Sequence, residues 1–118
     1  MTLIFGTTHA APILNLFELG IQPGQTAAYD AVGQNNINAS VGNEAGMLAM
    51  YSVKQKNNPH MAYMVEIYAD DAAYQSHRAT PHFKAYLDKT ADLLADKQAI
   101  AITLSLLANK GGLNYAAE

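Results

Sequence analysis

The sequence contains no cysteine and no tryptophan, and only 14% of its 118 residues are charged. Without cysteine the chain cannot form disulfides, use a thiolate nucleophile or hold zinc through thiolates. Its 7 basic and 10 acidic side chains give a formal net charge of −3, so it lacks the basic surface that nucleic acids and anionic membranes require. We therefore expect neither nucleic acid nor a membrane as a partner.

Charge is scarcest in the N-terminal part of the sequence, where Lys54 is the first Lys or Arg and only three acids precede it. The N-terminal segment has no positive charge, and Gly6-Thr7-Thr8-His9 interrupts its apolar residues, which is atypical of a secretory signal peptide. No run of about 18 apolar residues is present, so the sequence predicts no transmembrane helix. These features favour a cytoplasmic protein.

A chain of this length is expected to form one domain, which we place at 12–108 between tails at 1–11 and 109–118. Apolar alternation and continuous apolar runs, bounded by Gly, Pro and Asn, predict four strands. They are placed at 13–19, 47–54, 61–68 and 100–107. In the second strand the pattern predicts one face made of Met47, Ala49, Tyr51 and Val53.

Two helical regions separate these strands. The first is predicted at 27–41, with Thr26 as its cap and a common face formed by Ala28, Val32, Asn35 and Ala39. The second begins at Asp70 or Asp71 and is divided at Thr80-Pro81, because proline disfavours helical geometry in the residue before it but is tolerated at a first helical position. Its second part carries an apolar stripe that continues to Leu94.

The predicted order of strand, helix, strand, strand, helix, strand is that of the α+β, ferredoxin-like βαββαβ fold, an antiparallel sheet with two helices on one face. Helices on one side leave the other face of the sheet uncovered. Since large apolar side chains lie on both faces of the strands, we expect a homodimer that buries the open sheet faces.

A carboxylate, a phenol and an imidazole are grouped in the segment that follows the hairpin. Glu66 and Tyr68 share one face of a strand, and His77 lies on the next helix, where it can face the same space. A neutral His77 could accept a proton from an acidic substrate while Tyr68 and Glu66 orient it. The alternative is structural, with a hydrogen-bonded Glu66, a packed Tyr68 and a satisfied buried His77.

Cofactor and metal motifs are scarce. The glycines do not have the spacing of a Rossmann or Walker phosphate loop, which disfavours nucleotide cofactors. The histidines at positions 9, 60, 77 and 82 are scattered along the sequence, and the closest two are separated by a proline, so no metal site is predicted. We therefore predict a protein without a bound cofactor.

The segment from Glu66 to Tyr86 resembles the signature of the antibiotic biosynthesis monooxygenase (ABM) family, above all in the spacing of His77 and Thr80-Pro81-His82-Phe83-Lys84. The resemblance implies a ferredoxin-like subunit, a dimeric α+β barrel whose two sheets face each other, and a ligand pocket between the sheet and helices of each subunit. It also implies oxidation of a small aromatic, hydroquinone-type substrate with O2 and without metal, flavin or nicotinamide. His77 would be the base in such a reaction, with Tyr68 and Glu66 as its partners.

The same resemblance suggests which residues contact the substrate. Asn15 and Phe17 share a face of the first strand and would point into the pocket, and Asn36 would supply an amide from the first helix. His82, Phe83 and Tyr86 would line the side formed by the second helical region. The lack of tryptophan disfavours a large tricyclic substrate, and Tyr86 stands where haem-degrading relatives present an iron-binding histidine.

Two other functions remain open. One is a non-redox isomerase or lyase that acts on a small polar signal or sugar derivative through His77 and His82. The other is a small-molecule binding protein without turnover. An apolar pocket would support the hydroquinone, whereas a cationic pocket, for which Lys54, Arg78 and Lys84 are candidates, would support a phosphorylated substrate.

Overall fold

The computed structural model describes residues 11–111, which form one four-stranded antiparallel sheet with three helices. The strand order is β2-β3-β1-β4, as in a ferredoxin-like fold, so the predicted fold class is confirmed. Among these residues, no helix is long and apolar enough to cross a membrane. The elements, in chain order, are β1 (Ile13–Ile21), α1 (Thr26–Asn43), β2 (Met47–Gln55), β3 (Asn58–Tyr68), α2 (Asp71–Arg78), α3 (Pro81–Thr90) and β4 (Leu94–Ile100).

The register of the sheet decides which side chains face the helices. Asn15 lies opposite Glu66 and Phe17 opposite Met64, and directly opposed residues of antiparallel strands point to the same face. This face forms the core with the helices, and its buried residues include Leu19, Ala62 and Tyr68. The two central strands, β1 and β3, therefore supply core residues and, in Asn15, Glu66 and Tyr68, part of the predicted site.

The other face of the sheet has no helix over it in the described part of the chain. Tyr51 pairs with Val65 and Val53 with Tyr63, so β2 and β3 present apolar side chains together on this face. Tyr51 and Val53 are 47% and 50% exposed. The open sheet face is thus apolar, as the sequence predicted.

The buried face of α1 lies one residue later than predicted. Its buried residues are Tyr29, Gly33, Asn36 and Ser40. Tyr29 determines this rotation, because its ring enters the core and its hydroxyl lies 2.8 Å from that of Tyr86. The predicted cap is also wrong, since the helix already includes Thr26, and Gln25 before it makes no side-chain capping bond.

A register shift in β2 changes the face that Met47 occupies. The strand is irregular between Met47 and Ala49, so Met47 and Met50 are both buried while Leu48 is exposed. Such an irregularity lets two residues oppose one on the neighbouring strand and breaks the period of two. The predicted common face holds for Ala49, Tyr51 and Val53 but not for Met47.

The last strand is the largest departure from the sequence prediction. It spans Leu94–Ile100 rather than 100–107, and α3 ends at Thr90 rather than continuing to Leu94. The helix ends where the Thr90 hydroxyl donates to the carbonyl of Tyr86. Five of the seven residues of β4 are exposed, so its position is fixed by pairing with β1 rather than by an apolar pattern.

The apolar run after β4 has no regular secondary structure at 101–110. Ile102, Leu106 and Leu107 in this run are 42%, 91% and 49% exposed. The alternation that predicted a strand here therefore does not pair within the described chain. The predicted domain boundary at 108 falls within this segment, and most of both predicted tails lies outside the described residues.

The second helical region is divided as predicted. Asp70 caps α2 by accepting a hydrogen bond from the amide of Ala73, 2.8 Å away. Thr80 caps α3 by accepting one from the amide of Phe83 at 3.2 Å, and Pro81 takes the first helical position. The two helices therefore meet at Thr80, which places the side chains before and after the break close together.

A close contact between Gly46 and Ala73 positions the start of α2 against the sheet. The Gly46 carbonyl accepts a hydrogen bond from the amide of Ala69, and a Cβ at Gly46 would collide with the Cβ of Ala73. A methyl side chain cannot move away by rotating, so any residue larger than glycine must displace the helix.

We predict that Gly46→Ala lowers the free energy of unfolding by about 1–3 kcal/mol, the usual cost of overpacking. Gly42→Ala is the matched control, because nothing lies within 4 Å of the point that its Cβ would occupy. Urea unfolding monitored by circular dichroism measures both. Adding Ala73→Gly to Gly46→Ala should cost less than the sum of the single losses, and strict additivity would show that the contact is not limiting.

Candidate active site

A cavity of about 260 Å³ lies between the sheet and the helices α2 and α3. Most of its wall is apolar or aromatic, and a few of its side chains carry polar groups. Two of those are cationic and one is a carboxylate. The lining residues are Phe17, Leu19, Met64, Glu66, Tyr74, Arg78, Phe83, Tyr86, Leu87 and Lys97.

Glu66 is the carboxylate that reaches this cavity. It is only 6% exposed and accepts a hydrogen bond of 2.5 Å from the hydroxyl of Tyr68, which is fully buried beside it. Burial raises the pKa of the Glu66 carboxyl, and the hydrogen bond from Tyr68 opposes this change without cancelling it. Burial, followed by the charge of Glu66, also raises the pKa of the Tyr68 phenol, so this group stays protonated and donates.

Two cations stand at the wall of the same cavity. Lys97 on β4 holds its ammonium 5.8 Å from the centroid of the Phe17 ring, and Arg78 on α2 holds its guanidinium 5.7 Å from that of Tyr74. Both arrangements are cation–π contacts, and neither cation forms an ion pair among the described residues. The wall of the cavity is therefore largely aromatic, and it carries two cationic side chains and one carboxylate.

His77 lies behind this cavity rather than in its wall. It is 1% exposed, and its ring packs on those of Tyr68 and Phe83, with centroid distances of 5.6 and 4.9 Å. Its Nδ1 lies 2.9 Å from Oε2 of Glu44. An ionised carboxylate only accepts hydrogen bonds, so Nδ1 carries the hydrogen. Nε2 is buried without a hydrogen-bond partner among the residues that the structure describes.

Glu44 also contacts His82. Its Oε2 lies 2.5 Å from Nε2 of His82, so one carboxylate joins two imidazoles. Glu44 follows α1 directly, at the capping position, 33 residues before His77 and 38 before His82. Glu44 was not among the site residues predicted from the sequence, because no local motif links it to histidines so far along the chain.

The predicted substrate-binding residues separate into two places. Phe17, Phe83 and Tyr86 line the cavity of Glu66. Asn36 and His82 instead line a groove of about 190 Å³ between α1 and α3, which Tyr86 also borders. Asn15 lies opposite Glu66 in the sheet but lines neither space.

Lys97 and Tyr74 are cavity residues that sequence reasoning missed. The sequence placed Lys97 between a helix and a strand, and only its pairing with Leu19 across β1 and β4 brings it to the helix-covered face. Arg78 was recognised as a candidate cation for the pocket, and it is one of the two present there. Lys54 instead forms an ion pair of 2.7 Å with Asp30 on α1.

Residues 12–89 match the family model for antibiotic biosynthesis monooxygenase. The chain is 34% identical to a candidate antibiotic biosynthesis monooxygenase from Bacteroides thetaiotaomicron, with 87% of this chain and 96% of that chain covered and a TM-score of 0.75. A candidate monooxygenase from Lactobacillus acidophilus is 27% identical over 79% of this chain and 45% of that one, with a TM-score of 0.72. A Pseudomonas aeruginosa protein shares the fold at 23% identity and a TM-score of 0.77, with 85% and 100% covered.

Replacing Glu66 by glutamine should change how stability depends on pH. A raised carboxyl pKa means that the folded state favours the neutral acid, so its contribution is present at low pH and is lost as the pH rises above the ordinary value of 4.5. Glu66→Gln keeps an acceptor for Tyr68 and cannot ionise. We therefore expect the melting temperature of Glu66→Gln, relative to the unsubstituted protein, to increase from pH 4.5 towards neutrality.

Thermal unfolding followed by circular dichroism at several pH values measures this difference. Asp88→Asn, which removes an exposed carboxylate of α3, is the matched control for the loss of one negative charge outside the cavity. If the melting temperature of Glu66→Gln, relative to that of the unsubstituted protein, falls as the pH rises, the pKa of Glu66 is not raised.

Proposed function

This chain belongs to the antibiotic biosynthesis monooxygenase family, and from that premise we propose that it oxidises a small hydroquinone-type aromatic with O2 in the cavity of Glu66. The family and its relatives support a monooxygenase-type function. The choice of substrate, the use of O2 and the roles of individual residues are our proposal, and they rest on the composition of the cavity wall.

The observation that carries the proposal is a buried carboxylate with a raised pKa facing an aromatic cavity that also holds two cations. A carboxylate whose pKa is raised is a stronger base than an exposed one, and once ionised it can take the proton of a phenolic hydroxyl. Lys97 and Arg78 then stabilise the resulting phenolate, and Phe17 and Phe83 accept its flat ring. At about 260 Å³ the cavity is at the small end of ligand sites, which favours a small substrate over a tricyclic one.

The proposed reaction needs no reductant other than the substrate. Glu66 accepts the hydroxyl proton, and the phenolate transfers an electron to O2. The radical pair combines to form a C–O bond, Glu66 returns its proton to the peroxide, and cleavage of the O–O bond with loss of the ring proton releases water. One oxygen atom stays on the ring, the other leaves as water, and the hydroquinone becomes a hydroxyquinone.

His77 takes a different place in this proposal from the one the sequence suggested. Since His77 is buried behind the wall and Glu66 is part of it, we assign the first proton transfer to Glu66 and make His77 a positioning residue. Glu44 holds His77 through Nδ1, and the imidazole packs on Tyr68. Tyr68 in turn donates a hydrogen bond to Glu66. The position of the Glu66 carboxylate therefore depends on the packing of His77 against Tyr68.

The two cations also favour a second candidate function. Arg78 and Lys97 could bind the anionic group of a small polar substrate, as expected for the non-redox isomerase or lyase considered from the sequence. Glu66 would then move a proton between carbon and oxygen atoms without consuming O2. The same cavity serves both reactions, so product analysis separates them.

We also propose a homodimer in which the open sheet face of one subunit meets that of the other. The supporting observation is the apolar character of this face, with Tyr51 and Val53 about half exposed. Association of identical apolar faces about a twofold axis would bury both of them. The helices and the cavity of Glu66 lie on the opposite side of the sheet.

Oxygen uptake tests the main proposal. Dialysed, chelator-treated protein is given a panel of benzo- and naphthohydroquinones under air, and hydroxyquinone formation is followed by mass spectrometry. We expect uptake with at least one compound and a loss of about 100-fold or more in kcat/KM for Glu66→Gln, in the range that general bases contribute. Asp88→Asn, an exposed position of α3 outside the cavity, is the matched control and should retain activity.

The outcomes separate the candidates. Equal activity in Glu66→Gln and the unsubstituted protein would refute the assigned base, and a larger loss in His77→Gln than in Glu66→Gln would return that role to His77. Conversion of small phosphorylated polar compounds without O2 uptake would favour the isomerase or lyase.

Val53→Asp tests the dimer. A charge on the exposed apolar part of the open sheet face should convert the dimer to a monomer, which sedimentation velocity measures directly. Val41→Asp is the matched control, because Val41 is 45% exposed on α1, away from the sheet, and should leave the dimer intact. A monomeric unsubstituted protein, or a Val53→Asp protein that remains dimeric, would contradict this interface.

A further inference from the structure

Three side chains that can each donate a lone pair to a metal ion converge where α1, α2 and α3 meet. Glu44 follows α1, His77 lies in the last turn of α2, and His82 lies in the first turn of α3. One ligand atom from each lies within 4.8 Å of the other two. No other such group is present among residues 11–111.

The distances are close to those of a metal centre. Zinc binds imidazole nitrogen at about 2.0–2.1 Å and carboxylate oxygen at about 2.0–2.2 Å, which separates two ligand atoms by about 3.3 Å in a tetrahedral site. The Glu44 oxygens lie 2.9 and 3.2 Å from Nδ1 of His77, and Oε2 lies 2.5 Å from Nε2 of His82. Since the three ligand atoms lie within 4.8 Å of one another, binding an ion requires the Glu44 oxygen to move away from both nitrogens and the two nitrogens to stand about 3.3 Å apart.

Hydrogen bonds at the break between α2 and α3 hold the two histidines of the cluster in place. The backbone carbonyl of His77 accepts two hydrogen bonds from Thr80, one from the hydroxyl at 2.7 Å and one from the amide at 3.1 Å. This pair fixes the break between α2 and α3 and therefore the spacing of the two imidazoles. Fixed ligands lower the entropic cost of binding an ion.

The opposite side of the cluster is accessible. The His82 side chain is 21% exposed, compared with 11% for Glu44 and 1% for His77. His82 lines the groove of about 190 Å³ between α1 and α3, which provides an entry path and room for a water ligand. Three protein ligands and one open position constitute the usual arrangement of a reactive or exchangeable metal site.

We propose that Glu44, His77 and His82 bind one divalent late transition-metal ion, of which Zn²⁺ is the best match, with water from the groove as a further ligand. Two imidazoles and a carboxylate suit zinc and its neighbours in the series, whereas Mg²⁺ and Ca²⁺ prefer oxygen ligands. No sequence motif indicates this site, because its carboxylate lies far from both histidines along the chain.

Binding of an ion would change the tautomer of His77. In the metal-free state Nδ1 carries the hydrogen that it donates to Glu44. Coordination requires the lone pair of Nδ1, so the hydrogen must move to Nε2. This change distinguishes a metal at the cluster from a metal bound elsewhere on the surface.

Zinc titration tests the proposal independently of any activity. Tag-free, chelator-treated protein is titrated with Zn²⁺ against a chromophoric chelator, and the ¹⁵N chemical shifts of the histidine rings are recorded before and after. We expect one ion per chain and movement of the His77 hydrogen from Nδ1 to Nε2. His82→Gln should weaken binding by at least about tenfold, as loss of a ligand costs more than loss of the groups that support it.

Two further variants make the result decisive. Glu44→Gln, which keeps the size of the side chain and can still accept hydrogen bonds, should also bind at least about tenfold more weakly. His60→Gln removes a histidine of β3 outside the cluster and should bind as tightly as the unsubstituted protein. Absence of saturable binding, unchanged affinity in the His82→Gln and Glu44→Gln proteins, or an unchanged His77 tautomer at saturation would overturn the proposal.

Discussion

The hydrogen bonds from the Glu44 carboxylate to His77 and His82 connect the three helices that surround the candidate site. Glu44 is anchored at the end of α1, so its contacts with His77 and His82 fix α2 and α3 relative to the first helix. Hydrogen bonds to a charged group contribute about 1.5–3 kcal/mol each, a large share of the stability of a domain this size. The walls of the Glu66 cavity that come from α2 and α3 are positioned by this carboxylate.

The two sides of His77 therefore have different chemistry. On one side Glu44 and His82 form a polar cluster that opens to the groove between α1 and α3. On the other side, Tyr68 packs against the His77 ring and donates a hydrogen bond to Glu66, which faces the aromatic cavity. Burial raises the pKa of Glu66 while Tyr68 and the positive charge of Lys97 counteract that change, so the acidity of this carboxyl reflects a balance between desolvation and its polar neighbours.

Local signals predicted the parts of the structure that depend on local physics. The caps at Asp70 and Thr80 and the shared face of Glu66 and Tyr68 follow from side-chain chemistry within a few residues. Long-range contacts decided the rest. Small and polar residues make up most of α1, so the distant Tyr86 fixes its buried face, and pairing with β1 rather than an apolar pattern fixes β4. Glu44 and Lys97 enter their sites only through tertiary contacts, which no motif encodes.

In the proposed homodimer, stability depends on protein concentration, because the apolar face of the sheet is covered only when two chains associate. When a face such as that of Tyr51 and Val53 is buried by a second copy, folding and association share one equilibrium, and dilution favours the unfolded chain. The melting temperature of such a protein rises with its concentration. Substitutions on this face then act through the equilibrium between subunits, even at positions that contribute little to the core of one chain.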